Sequence, residues 1–295
     1  MGRMNAGSSI DCLSFSEKGD VLWSWGWSAE AQSWDLAHGG ELSRVALATE
    51  CPEEAAWHPD ARVLACRAEE GVELWDAGTG KKTGFLRLGE PGGENIVLHR
   101  LAWSPEGRRL AAVGYLGRTL VWEVPSGNLL WEHAPISDTH RSAVAWSPDG
   151  RLLAVGTSSG FIRLLEAGTG KEVAQIGHDL ATVRSLAFGR EGRILASCSR
   201  EEDGSVRLWD LPSGQELQRL GVHPAPVQVL AFSGDGAFLA SGDSLGTVQL
   251  WSAERRELLK EWKPHAQSVS AIVFSRPRDK LATGSWDGSV EVLPV

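Results

Sequence analysis

Apolar residues along this chain come in runs of five to seven, broken by short polar stretches rich in glycine, proline, serine and aspartate. No run sustains the 3.6-residue period of a helix. Runs of that length between turn signals predict strands. Residues 183–220 show the pattern as VRSLAF, ILASCS, SVRLWD and QELQRL, with Gly192, Gly204 and Gly214 in the intervening turns. Many runs are apolar on both faces, as expected of small sheets covered by a neighbour on each side.

The groups repeat. An aromatic column runs through Phe15, Trp57, Trp103, Trp146, Phe188, Phe232 and Phe274, and a leucine follows seven residues later in every copy: Leu22, Leu64, Leu110, Leu153, Leu195, Leu239 and Leu281. Insertions fall between copies and never inside this segment. Sustained repetition at this period signals stacked or radially arranged units, each too small to bury its own faces. The copies span approximately 9–47, 53–88, 97–134, 141–177, 183–221, 227–263 and 269–295 within a single domain, 1–295.

The fifth copy reads GH, then SLAF, then LAS, then DGSVRLWD, and so resembles a WD repeat of the WD40 β-propeller family. The Trp-Asp pair stands at Trp34-Asp35, Trp75-Asp76 and Trp209-Asp210. It relaxes to Trp122-Glu123, Trp251-Ser252, Leu165-Glu166 and Leu293-Pro294. The resemblance covers nearly the whole chain and implies an all-β fold: a seven-bladed β-propeller of four-stranded antiparallel blades. It also implies a buried hydrogen-bond set, which maps to His178, Ser199, Asp203 and Trp209 in copy five. Copy seven keeps His265, Ser285 and Asp287 with Leu293 for the Trp; copy six has His223 and Trp251, with Asp243 and Leu245 at the Ser and Asp positions. Copies one to four lack the set. Family propellers close by giving the last blade an N-terminal outer strand, here expected within residues 1–8, near Met4.

Composition narrows the function. The chain has 295 residues, 42% hydrophobic and 23% charged, enough to bury a substantial core. A net charge of −9 argues against nucleic acid, which calls for clustered Lys and Arg, and suits a protein partner with a basic segment. Cys12, Cys51, Cys66 and Cys198 form no CxxC pair, so neither a zinc site nor a disulfide framework is indicated and a reduced, cytoplasmic setting fits. No leader-like or membrane-spanning apolar run occurs. A soluble monomer is expected. Arginine outnumbers lysine about three to one, which points toward a high-GC bacterial source.

Two features invite a sharper reading. Trp23, Trp25 and Trp27 alternate along one strand; the first two replace Ala and Gly of other copies and are expected to fill space around the closing blade, where the outer strand is short. The third falls in a column at the end of the second strand: Trp27, Glu69, Tyr115, Ser158, Arg200, Ser244, Trp286. In a closed ring Trp286 and Trp27 become neighbours, followed by Glu69 and Tyr115, with Glu70 and Asp287 close by. Either these indoles cover blade ends, or they form a rim that grips a Lys or Arg side chain, with Trp27, Glu69, Tyr115, Arg200 and Trp286 as contacts. The connections 88–97 and 133–140 make the rim tallest near copies three and four.

Apparent chemistry has plainer explanations. His178, His223 and His265 share one repeat position and a structural role, not a metal. AGTGKK at 77–82 and AGTGKE at 167–172 lack the remaining phosphate-loop residues and read as turns between the third and fourth strands. No Ser-His-Asp constellation can be assembled. The reading is a non-catalytic interaction scaffold or sensor that binds a protein partner on its loop-bearing face, with no catalytic residue, cofactor or metal. Behind it stand an excised sensor domain of a larger bacterial protein and a propeller-fold hydrolase or lyase; convergent His, Asp or Glu in the central channel would point to the latter.

Overall fold

The computed structural model describes residues 3–47, 54–88, 97–133, 143–177, 182–189, 191–199, 204–221, 223–276 and 280–295. These form seven four-stranded antiparallel sheets, the blades of a seven-bladed β-propeller. Blade one comprises Ile10–Phe15, Val21–Gly26, Glu30–Asp35 and Gly40–Ala46. Blades two to six lie within 55–87, 98–133, 144–176, 183–220 and 227–262. Blade seven takes Val269–Phe274, Lys280–Ser285 and Ser289–Pro294, and its outer strand is Met4–Asn5. That two-residue strand pairs Met4 with Val290 and Asn5 with Ser289, so the ring closes through the N-terminal segment near Met4 as expected. Ala6 N–H donates to Gly288 O at 2.9 Å, and Gln32 Nε2 to Ala6 O at 3.0 Å, tying the closing segment to blades seven and one.

The leucine column explains the architecture. In every blade the leucine of the second strand lies opposite the aromatic of the first strand, as Leu110 opposes Trp103, and opposite the Trp or Leu of the third, as Leu110 opposes Trp122. All seven leucines are essentially fully buried. Each packs against the preceding blade, while the residue after it, usually Ala, faces the following blade, as pleat alternation requires. Seven separate apolar cores result, one at each junction between neighbours. Leu22, Trp34, Met4, Ala282 and Val290 share the junction that joins blade seven to blade one. A small Ala on one face lets adjoining sheets approach closely. Burying each leucine contributes about 2 kcal/mol of apolar transfer.

Trp25 is fully buried and Trp23 half-buried, but both pack in the junction between blades one and two, against Trp57, Leu64 and Cys66. Trp23 and Trp57 stand 5.6 Å apart at 47°. The expectation that they fill the closing junction is corrected: positions one and three past the leucine face the following blade, so from blade one they point to blade two.

Turns follow the sequence punctuation. In SPDG at 147–150, Ser147 Oγ donates to Asp149 Oδ1 at 2.6 Å and accepts from Leu152 N–H at 2.9 Å, while Gly150 takes φ of 68°, open to glycine at little cost. AGTGKK and AGTGKE form turns between third and fourth strands, with Asp76 Oδ1 accepting from Thr79 N–H at 2.8 Å. Outer strands are the exposed ones, and blade six carries Glu257, Lys260 and Glu261 there. Charge on an edge strand discourages pairing with other chains.

Candidate functional site

The rim column and the central channel meet through one recurring backbone hydrogen bond. Trp27 N–H donates to Ser9 O at 3.2 Å, Tyr115 N–H to Val97 O at 2.8 Å, Ser244 N–H to Pro226 O at 3.0 Å and Trp286 N–H to Ser268 O at 3.1 Å. Each acceptor is the residue leading into a first strand, and first strands line the channel. The bond holds the end of the second strand over the channel mouth. That mouth is a funnel of about 760 Å³, and Trp27 and Trp286 both line it. Trp27 is 61% exposed and Trp286 48%, unusually open for indoles.

Below them the wall is polar for a specific reason. The first strands of blades one, three, five, six and seven each slip register by one residue, between Ile10 and Cys12, Leu98 and Arg100, Val183 and Ser185, Val227 and Val229, and Val269 and Ala271. The extra residues are Asp11, His99, Arg184, Gln228 and Ser270, and all five line the funnel. A β-bulge re-aims one side chain out of the pleat, so a strand buried on both faces can still present a polar group to the channel. Arg67, Arg100 and Glu54 complete the charged lining.

The charges are interlocked. Arg100 Nη1 pairs with Glu54 Oε1 across blades three and two. Arg67 Nη1 donates to Leu98 O at 3.2 Å, and Arg184 Nε to Gln228 Oε1 at 3.0 Å. Burial pushes the Glu54 carboxyl above the usual carboxylate range, although Arg100, Arg184 and Arg67 all favour its ionised form. His, Asp and Glu thus do converge on the channel. Glu54, however, is held by Arg100, and among the described residues no group of three His, Cys, Asp or Glu could hold a metal ion.

The expected rim arc is only partly assembled. Trp27 and Trp286 come together on the funnel. Exposed Glu69 and half-exposed Tyr115 do not belong to its lining. Arg200 and the connections 89–96 and 134–142 lie outside the described residues. Asp287 is occupied: it accepts from Ser289 N–H at 2.8 Å, Ser289 Oγ at 2.5 Å and Ala266 N–H at 2.8 Å, and its carboxylate lies 3.6 Å from Arg3. These bonds hold its pKa down to about 2. The bulge residues escaped the sequence reading because the first strands look apolar on both faces. Four places before each aromatic, however, Asp11, His99, Arg184, Gln228 and Ser270 form a polar column that could have been seen.

The buried hydrogen-bond sets are real but sit two residues earlier on the second strand. Trp209 Nε1 donates to Ser197 Oγ at 2.8 Å, not to Ser199, and Trp251 Nε1 to Ser241 Oγ at 3.0 Å. The reason is register. Trp209 lies opposite Leu195, so Ser197 is its diagonal neighbour, whereas Ser199 on the same face is a further two residues along. His223 Nε2 pairs with Ser241 Oγ at 2.7 Å and its Nδ1 with Asp243 Oδ2 at 3.4 Å, so blade six holds a full set of His223, Ser241, Asp243 and Trp251. Asp243 takes the carboxylate role and not the hydroxyl one. His265 Nε2 pairs with Thr283 Oγ1 at 2.8 Å and its Nδ1 with Ser289 Oγ at 2.7 Å, while Ser285 Oγ donates to Gln267 O at 3.3 Å. Burial lowers the His265 pKa to about 4. Blade one keeps half a set, Trp34 Nε1 donating to Ser24 Oγ at 2.9 Å. Where that position is Cys66 or Ala112, the indoles of Trp75 and Trp122 turn to Glu73 Oε2 at 3.1 Å and Arg87 O at 2.9 Å. His178 and Asp203 lie outside the described residues.

Seven blades closed by an N-terminal strand, with buried Trp–Ser and His–Ser bonds, define the class of WD-type propellers. Comparison with known families agrees: the WD domain, G-beta repeat, matches residues 170–210, 214–252 and 256–292, and the anaphase-promoting complex subunit 4 WD40 domain matches 116–180. The chain belongs to the WD40-repeat family. Among curated proteins it is 28% identical over 158 residues to WD repeat-containing protein 55 of Pongo abelii, covering 52% of this chain and 41% of that protein. It is 41% identical over 51 residues to Protein ROOT INITIATION DEFECTIVE 3 of Arabidopsis thaliana, covering 17% of this chain and 12% of that protein. The matched region is less than half the length of either relative.

Proposed function

We propose that this propeller is a non-catalytic interaction module that holds a protein partner at the mouth of its central funnel. The observation that carries the reading is the pairing of Trp27 and Trp286 on one funnel, both exposed although nine of the chain's 14 tryptophans are buried. Large open aromatics above a polar wall are the makings of a binding hot spot. The matched domain of an anaphase-promoting complex subunit supports a role within assemblies. A cytoplasmic monomer is part of the proposal; Cys12 and Cys66, which pack in one core as free thiols, support a reducing setting. Of the rim acids expected to face a basic segment, Glu69 lies outside the funnel lining and Asp287 is bonded to Ser289 and Ala266.

The test is a Trp27→Ala, Trp286→Ala double variant, checked for folding by circular dichroism and used as bait in native lysate of the source cells. A Leu258→Ser, Leu259→Ser variant on an exposed outer strand serves as control. The double variant should lose at least about tenfold of its specific partner recovery while the control retains it. Equal recovery by the folded double variant would refute the reading.

A further inference from the structure

Three large apolar side chains stand open on consecutive blades at the funnel mouth: Leu245 on blade six, Trp286 on blade seven and Trp27 on blade one, exposed by 50%, 48% and 61%. Backbone packing links them in one arc. The turn of Leu245 rests on the connection from blade six to blade seven, where a Cβ on Gly246 would stand 2.2 Å from His265 O, and Ser268 O of that connection accepts the Trp286 N–H. The turn of Trp286 rests in the same way on the segment leading into blade one. A Cβ on Gly288 would meet Ser8 O at 3.1 Å, and Ser9 O accepts the Trp27 N–H. Carboxylates fix the first two turns: fully buried Asp243 accepts from Leu245 N–H at 3.0 Å and Thr247 N–H at 2.8 Å, and Asp287 accepts from Ala266 N–H and Ser289 N–H, both at 2.8 Å. Anchors held in this way lose little freedom on binding. The arc ends at blade two, where exposed Glu69 stands in place of an indole.

The surround of the anchors is neutral. Across residues 8–9, 27–29, 244–246, 265–268 and 286–288 the charged group is Asp287, which is bonded to Ser289 and Ala266, while His265 is buried and uncharged. A charge laid on the arc would be desolvated without a partner, so an uncharged segment fits it. Facing sheets pack about 10 Å apart, which sets the step from one anchor to the next. An α-helix lays an apolar residue on a surface at every turn, about 5.4 Å, and would set every second one against the serines of the connections. A polyproline II helix advances about 9 Å per three-residue turn and so offers one side chain to each blade. It also leaves its carbonyls unbonded, so exposed indole N–H groups can donate to them. Aromatic surfaces are the usual docking sites of such segments. We infer that the arc receives an uncharged, proline-rich segment of the protein partner in the polyproline II conformation, with one proline or other apolar residue on each of Leu245, Trp286 and Trp27. This rests on the partner-docking reading and specifies its chemistry.

A random dodecapeptide display library, selected on the folded protein, reads the preference directly. Selected peptides should carry proline and apolar residues three apart and few charged ones. A representative peptide with blocked termini should bind at least about tenfold more weakly to Trp27→Ala and to Trp286→Ala, and about threefold more weakly to Leu245→Ser, with thermal unfolding as the check on each variant. Its affinity should change less than about twofold between low and physiological salt, since no ion pair forms. Full binding by Leu245→Ser would overturn the three-blade arc. Selection of charged residues, or of apolar residues at helical spacing, that is lost in Trp27→Ala, Trp286→Ala would overturn the proline-rich assignment while leaving the docking reading intact. Undiminished binding of the selected peptide to that double variant would overturn both. Selection of no peptide class would overturn the inference, and recovery of partners from lysate by the double variant then decides the docking reading alone.

Discussion

At the residue scale, the buried indole and imidazole donors decide which serines matter. Ser241 serves two partners, His223 Nε2 and Trp251 Nε1, inside a fully buried pocket. Ser241→Ala strands both groups and should lower unfolding free energy by about 2–3 kcal/mol in a denaturant titration. Ser199→Ala, two residues along on the equivalent strand of blade five, should cost less than about 1 kcal/mol. Equal effects would restore the register expected from the sequence. The repeat columns made the leucines, aromatics and tryptophans legible, since each column stays at constant spacing. They could not choose between two hydroxyls on one strand face, because Ser197 and Ser199 satisfy the same pattern and only the cross-strand pairing of Leu195 with Trp209 separates them.

At the element scale, blade seven carries both the ring closure and the clearest titratable network. His265 is buried and neutral, with its pKa lowered to about 4 from 6.5. The unfolded chain therefore binds a proton there that the folded one refuses, between roughly pH 6.5 and 4, and stability falls as pH falls through that window. Asp287, with its pKa near 2 against 3.8, loses its contribution only below that window, as pH falls from about 3.8 toward 2. Thermal unfolding should thus show a decline between pH 6.5 and 4 worth on the order of 2 kcal/mol. In His265→Asn that slope should flatten, although the variant is less stable at pH 7. An unchanged slope in His265→Asn would assign the acid sensitivity elsewhere. Strand positions in blade five matched the sequence reading closely, with Val183–Phe188, Ile194–Ser199 and Gln215–Leu220 as expected. The bulges did not, because one extra residue inside an apolar run leaves no turn residue to mark it; Asp11 and Arg184 look like interruptions of a buried strand until the pairing shows them turned toward the channel.

At the scale of the whole molecule, closure brings distant positions to one place. Trp27 and Trp286 lie near opposite ends of the sequence and reach one funnel because the first strands of blades seven and one are adjacent and Met4–Asn5 completes blade seven. That neighbourhood was readable from repeat count alone. The cluster of Arg67, Arg100 and Arg184 on the funnel wall was not, because these residues occupy three different repeat positions and converge only in three dimensions. The arrangement sets two open indoles above a polar, charged funnel wall. The most direct test replaces Trp27 with a benzophenone-bearing photo-cross-linking residue and compares it with the same residue at Leu258 on the outer edge of blade six. Illumination in native lysate should give discrete covalent adducts from position 27 and none above background from position 258. Adducts from position 258 with none from position 27 would place the partner on the blade edges and contradict the funnel as the docking site.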